Sequence, residues 1–202
     1  MNYTTLKAGI VSWLNNESTE LAANLDQIIK NAENRILRES DLRLFRKHAT
    51  ANLIASDPYL GTPADCLVVR YVRLNTGDFL ELRAESFIRE YTPNSATTGT
   101  PKYYAHWDAN TVFLAPTPSA ASTVEISYTY SPTSIITATT TWLGTNAEDV
   151  LFAACVYEAA IYLQAAPDLL TMYKTSYTEA MQRLQLMETK NSSDEFKTKG
   201  LI

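Results

Sequence analysis

The residues able to do chemistry in this chain are few and scattered. There are two histidines, His48 and His106, and two cysteines, Cys66 and Cys155. Acid–base catalysis needs partnered groups, and zinc needs Cys and His at short fixed spacings. Neither pattern occurs. His106 falls beside Tyr104 on one face of a predicted strand, where it reads as solvated or hydrogen-bonded. His48 follows Arg46 and Lys47 and reads as part of a basic, solvated loop. Cys155 lies in an apolar helical run and reads as a small buried hydrophobe. The adjacent acids Glu148 and Asp149 open a helix, whose positive end attracts carboxylates without any catalytic reason. The glycines stand at 9, 61, 77, 99, 144 and 200, so no phosphate-cradling loop exists, and G-x-S-x-G is absent. The expectation is a protein with no catalytic set, no metal and no cofactor.

Composition narrows the class further. The chain has 202 residues, 46% of them apolar, which is enough for one good-sized domain or two small ones. Its 12 tyrosines outnumber its 6 phenylalanines, and tyrosine pairs apolar area with a polar tip suited to strands and subunit interfaces. The formal net charge of −5 argues against a dedicated nucleic-acid binder. The same charge is compatible with a passive conduit for DNA, since a neutral or acidic wall lets a phosphate backbone slide without sticking. The most apolar run, residues 150–163, contains Glu158 and is too short to span a bilayer. No secretory signal pattern opens the chain, and the two distant cysteines fit a reduced, cytosolic setting.

The elements that would position these residues fall into three blocks. Leu6, Ile10, Trp13 and Leu14 make a helical stripe. A second helix runs from an N-cap at Ser18 to about Ser40, with Leu21, Leu25, Ile28, Ile29, Ala32 and Ile36 on one face. Its other face carries Asn24, Asn31, Glu33 and Asn34. Helical period returns at residue 145, where Thr145-x-x-Glu148 reads as a capping box. Val150, Leu151, Ala154, Tyr157, Ile161 and Tyr162 follow. Pro167 suits the first turn of a last helix, whose seam is Leu170, Tyr173, Tyr177, Ala180, Leu184 and Met187.

Between the helical blocks the period is two. Residues 67–74 and 79–83 read as a hairpin around Asn75-Thr76-Gly77-Asp78. Residues 85–91 read as one short helix. Tyr103, Ala105 and Trp107 alternate with Tyr104 and His106, and Val112 and Leu114 return after a turn. Pro116 and Pro118 interrupt the pairing. Val124, Ile126, Tyr128 and Tyr130 then share one face of a clean antiparallel strand. The predicted fold is therefore α+β: N- and C-terminal helices form a bundle that brackets an antiparallel β-rich lobe. The predicted segments are 1–44 (N-terminal helices), 45–141 (β-rich insert), 142–188 (C-terminal helices) and 189–202 (a flexible tail).

Residues 99–132 read GTPKYYAHWDANTVFLAPTPSAASTVEISYTYSP. A GTP-x-Y-Y opening, a hairpin, an L-x-P-x-P step and a V-x-I-x-Y-x-Y-x-P strand, in that order, resemble the β part of tailed-bacteriophage head-to-tail adaptor (connector, or head-completion) proteins. The opening Tyr3-Thr4-Thr5-Leu6-Lys7, the stretch Ala32-Glu33-Asn34-Arg35-Ile36-Leu37-Arg38 and the lead-in Trp142-Leu143-Gly144-Thr145-Asn146-Ala147-Glu148 resemble the same family. The resemblance therefore spans most of the chain.

The resemblance implies a virion structural protein at the head-to-tail interface, assembled in the host cytoplasm. Such adaptors form a closed ring of about twelve copies under the portal protein. They complete the head and present a platform to the next tail component, a nozzle or tail terminator. Double-stranded DNA passes through the lumen without sequence-specific binding. Phe196, Lys197, Lys199, Leu201 and Ile202 in the polar tail are candidate portal-docking residues, as apolar anchors in a segment that orders on binding. Leu170, Tyr173, Tyr177, Leu184 and Met187 are candidates for subunit or helix packing. Loops 92–100 and 133–141 are candidates for contact with neighbours or tail. Two other readings stand beside this one: a tail tubular or fibre-type structural module, favoured by the Thr/Tyr-rich strands, and a wall-degrading hydrolase with a spatially assembled site.

Overall fold

Local capping explains where the first helices start. The Asn2 side chain accepts from the Thr5 N–H at 2.9 Å, while the Thr5 hydroxyl accepts from the Asn2 N–H. This starts α1 (Tyr3–Leu14), which ends at Asn15 in the left-handed region. Ser18 Oγ accepts from the Leu21 N–H and starts α2 (Thr19–Glu39), with Glu20 in its first turn and Arg38 in its last. The stripe Leu21, Leu25, Ile28, Ile29, Ala32 and Ile36 is buried throughout. Each of the larger side chains contributes about 1.5–3 kcal/mol of apolar burial. The structure, a computed structural model, describes residues 1–40 and 42–199, with side chains through residue 188.

The chain continues through β1 (Arg46–Leu53), β2 (Tyr59–Gly61), β3 (Cys66–Leu74), β4 (Glu81–Leu82) and α3 (Glu85–Tyr91). It then forms β5 (Thr98–Gly99), β6 (Tyr103–Asp108), β7 (Thr111–Ala115), β8 (Thr117–Pro118) and β9 (Ser122–Tyr130). It closes with α4 (Ile135–Ala138), α5 (Trp142–Asn146), α6 (Glu148–Tyr162) and α7 (Pro167–Lys199). The fold is α+β. Two units separate: Met1–Arg43 with Thr133–Ile202, and Leu44–Pro132.

In the helical unit, α6 packs against α1, α2 and α7. Its residues Val150, Leu151, Ala154, Cys155, Val156, Ala159 and Ala160 are all buried, as an apolar-all-round helix requires. Residues 133–141, read from the sequence as the end of the β-rich insert, group with this unit. They form α4, where Ile135 is fully buried. The capping-box reading at Thr145 is corrected. Residues 142–146 already form α5, capped by Thr141, whose hydroxyl accepts from the Gly144 N–H. Thr145 therefore lies inside a helix and donates to the Thr141 carbonyl, while α6 starts without a side-chain cap.

In the β unit, β9 is the centre of a three-stranded sheet ordered β1-β9-β3, antiparallel throughout. A second sheet is ordered β2-β7-β6-β4. Val124, Ile126 and Tyr128 of β9 meet Leu60, Tyr104, Val112 and Leu114 of the second sheet in one core. The other face of that second sheet is covered by α3, with Ile88 against Ala105, Phe113 and Ala115. Two readings change here. Residues 46–53 form β1 and not a loop, and His48 lies on that strand. The expected hairpin at 67–83 survives only as one bridge, Arg73 with Phe79; β4 then pairs in parallel with β6. A second short parallel pair, β5 with β8, uses the segment with Pro118, which supplies no N–H to it.

Candidate interaction surfaces

The helical unit is clasped by a polar cluster at the seam of α2, α6 and α7. The Arg35 guanidinium donates to Glu158 and lies 5.0 Å over the Tyr157 ring. Its Nη1 reaches Glu39 at 3.4 Å. Glu39 in turn accepts the Tyr177 hydroxyl at 2.7 Å, and the Tyr177 ring stacks on Tyr157 at 6.2 Å. Burial, reinforced by the bond to Glu39, pushes the Tyr177 phenol well above its ordinary value. Beside this cluster lies a polar cleft of about 390 Å³ lined by Asn31, Asn34, Arg35, Arg38, Glu39 and Glu158.

A second concavity, about 370 Å³, is apolar. Trp13, Phe152, Val156, Met172 and Tyr173 line it, with Asp149 and Arg183 paired at 3.5 Å among its lining residues. Trp13 was placed by sequence on the stripe of α1, yet it is 64% exposed, while Leu6 and Ile10 of that stripe are fully buried. Of the seam candidates, Tyr177 and Leu184 are buried, Leu170 and Tyr173 half-buried, and Met187 57% exposed. The side chains of Phe196, Lys197, Lys199, Leu201 and Ile202 lie outside the described residues.

Elsewhere charges are paired locally. Tyr3 donates to Asp26 at 2.5 Å and Lys7 reaches the same carboxylate at 3.2 Å, tying α1 to α2. The Tyr3 bond holds the Asp26 carboxyl below its usual value. Glu33 on α2 accepts the Ile135 N–H at 2.8 Å, and its burial pushes its carboxyl upward. Lys47 and Tyr128 both bond Asp65, and Lys47 first of all holds that carboxyl low.

The histidines are embedded in ordinary contacts. His48 Nδ1 is 3.3 Å from the Tyr71 hydroxyl and 3.6 Å from Glu125, and His106 stands edge-on to Tyr104. Cys155 is fully buried, which pushes its thiol up and away from reactivity. Among the described residues no group of three or more His, Cys, Asp or Glu is placed to hold a metal ion. No helix among them is long and apolar enough to cross a membrane.

The described residues offer two surface concavities as candidate contact sites. The family described as SU10 adaptor protein matches residues 1–197, through both units. The chain belongs to that family. The adaptor is thus a phage head-to-tail joining protein with a structural role in the virion, working between head and tail components. No curated protein matches it.

One surface was not read from the sequence. Around α3 the β unit carries the exposed rings of Tyr59, Phe87, Tyr91 and Trp107, with Tyr103 half-buried among them. The alternation of Tyr103 and Trp107 placed those two on one face of β6. That α3 would lie along the same face is a long-range fact with no local signal.

Proposed function

We propose that the adaptor assembles as a closed ring of about twelve copies beneath the portal, completes the filled head and carries the tail. The family match across residues 1–197 is the observation that supports this most directly. Assembly, not catalysis, is the mechanism: the portal supplies the symmetry, and each docked subunit positions the next. The apolar groove at Trp13, Phe152 and Met172, together with exposed Met187, offers the helical unit a face for a neighbouring subunit. Half-buried Leu170 and Tyr173 adjoin it, while Tyr177 and Leu184 hold α7 in place. Phe196, Lys197, Lys199, Leu201 and Ile202 dock on the portal. Loops 92–100 and 133–141 meet neighbours or the tail. The net charge of −5 leaves the DNA free to slide through the lumen.

Light scattering after size exclusion tests this, with the protein alone and mixed with the purified portal ring of the same virus. Stoichiometric joining of the portal is the expected result. A discrete small oligomer that ignores the portal would move the protein to a tail or fibre module.

A further inference from the structure

Local preference and fold conflict at residues 133–140, TSIITATT, where the chain passes from the β unit into the helical unit. Six of these eight residues are β-branched, a composition that favours extended chain over helix. They nonetheless carry the single helical turn of α4. Thr139 follows at φ 66° and ψ −41°, and the Thr140 N–H donates to the Ala138 carbonyl at 2.7 Å. That is the rare, strained form of the γ-turn. A positive φ is costly for a β-branched residue, and such a turn persists only where its surroundings hold it.

The surroundings hold it at few points. Of the eight residues only Ile135 is buried, while Thr133, Thr137, Ala138, Thr139 and Thr140 are exposed. The Glu33 carboxylate accepts the Ile135 N–H at 2.8 Å, and the Tyr3 N–H donates to the Thr139 carbonyl at 2.9 Å. Both ends of the segment are fixed. The Ser131 N–H donates to the Asp65 carbonyl at 2.8 Å, and Thr141 caps α5. The Tyr177–Glu39 bond and the Tyr157–Tyr177 stack, which join α2, α6 and α7, do not pass through it. A segment with one buried side chain, few anchoring bonds and stored backbone strain opens at lower cost than the bundle beside it.

The geometry points to residues 133–140 as a latch with a closed and an open form. Closed, the latch is the helical turn, with Ile135 seated in the helical unit. Open, it is extended chain with Ile135 withdrawn, and the bundle of α2, α6 and α7 stays folded. Eight extended residues span about 25 Å, so opening gives slack to the chain that links the two units. A binding partner that favours one form shifts the balance toward it. The inference goes beyond the ring reading and does not depend on it.

Amide hydrogen exchange, read by NMR on the full chain, tests the latch. The amides of Ile135 and Ala138 are expected to be protected, yet to exchange at least about a hundredfold faster than those of Leu151 and Ala154 in α6. Thr139→Gly relieves the turn and should slow the Ile135 and Ala138 amides roughly three- to thirtyfold. Tyr177→Phe weakens the bundle and should speed the α6 pair about fivefold, leaving the latch pair at its wild-type rate. If both pairs speed up in step in Tyr177→Phe, residues 133–140 open only with the whole unit and the inference is overturned. Exchange in Thr139→Gly that is no slower than in wild type overturns it too, because the turn then stores no strain. So does an absence of protection at Ile135 and Ala138, which would mean that no closed form exists in solution. If Thr139→Gly does not fold, the Tyr177→Phe comparison decides.

Discussion

The Tyr177 hydroxyl of α7 donates a 2.7 Å hydrogen bond to Glu39 at the end of α2, joining the last long helix to the first. The same ring stacks on Tyr157 of α6. One side chain thus ties together three helices drawn from both ends of the sequence.

Tyr177→Phe keeps the ring and removes the bond. It is expected to cost about 1 kcal/mol in urea denaturation, against about 3–5 kcal/mol for Tyr177→Ala, which also leaves a cavity. The native phenol titrates above its unfolded value, so its contribution is complete below the ordinary tyrosine range and is lost as pH rises through the native value. Wild type should therefore lose stability at alkaline pH faster than Tyr177→Phe. Parallel pH curves would rule out this role.

Glu33 carries the opposite kind of strain, a carboxylate held in a largely buried place. Its native value lies above the unfolded one, so protonation relieves a cost that is present at neutral pH. Glu33→Gln keeps an acceptor for the Ile135 N–H and removes the charge. It should be at least as stable as wild type at pH 7, with the gap closing as pH falls toward the ordinary glutamate range. Denaturation at several pH values measures the gap; one that widens in acid would contradict the assignment.

Two glycines give contrasting expectations. A Cβ on Gly144 would stand 2.7 Å from the Met1 carbonyl oxygen and 3.1 Å from Ile135. Gly144→Ala should destabilise by about 1–3 kcal/mol, as overpacking does. A Cβ on Gly61 meets nothing within 4 Å. Gly61→Ala should be neutral or stabilising by up to about 1 kcal/mol. Thermal melts of the two variants check both signs.

Deleting residues 189–202 leaves the whole described seam in place, including Leu184 and the Glu188 carboxylate that accepts the Arg43 N–H at 3.0 Å. The truncated protein should melt within about 4 °C of wild type while losing portal binding in co-sedimentation. Unchanged portal binding would remove the docking role from Phe196, Leu201 and Ile202.

The parts of the fold legible in the sequence are those whose side chains repeat at one period and are large. The six-residue stripe of α2 and the Val124–Ile126–Tyr128 face of β9 are of that kind, and both are buried as read. β1 escaped because two of its three inward residues, Ala49 and Ala51, are too small to mark an alternation, which leaves Leu53 as its one large apolar residue, and it opens on charges that read as solvent. The 75–78 turn is real, but a turn specifies only its own reversal. It does not say that Glu81 and Leu82 will leave β3 for a parallel partner on β6. At Thr145 the local pattern was right for a cap, and α5 occupied the position first. The aromatic flank failed for a related reason: each ring was visible, but the packing of α3 across β6 and β7 joins residues far apart in the chain.

The division of the chain into a continuous β unit, Leu44–Pro132, and a helical unit built from both flanks sets an order for synthesis on the ribosome. All the partners of β9 have been made by the time β9 emerges, so the β unit can close at once. The apolar stripe of α2 has no such option. It must wait for α6, and until then Leu21, Leu25 and Ile29 stay open to chaperones or to the wrong neighbour. Slowing translation once residue 132 has left the ribosome should therefore expose the N-terminal helices and leave the β unit protected.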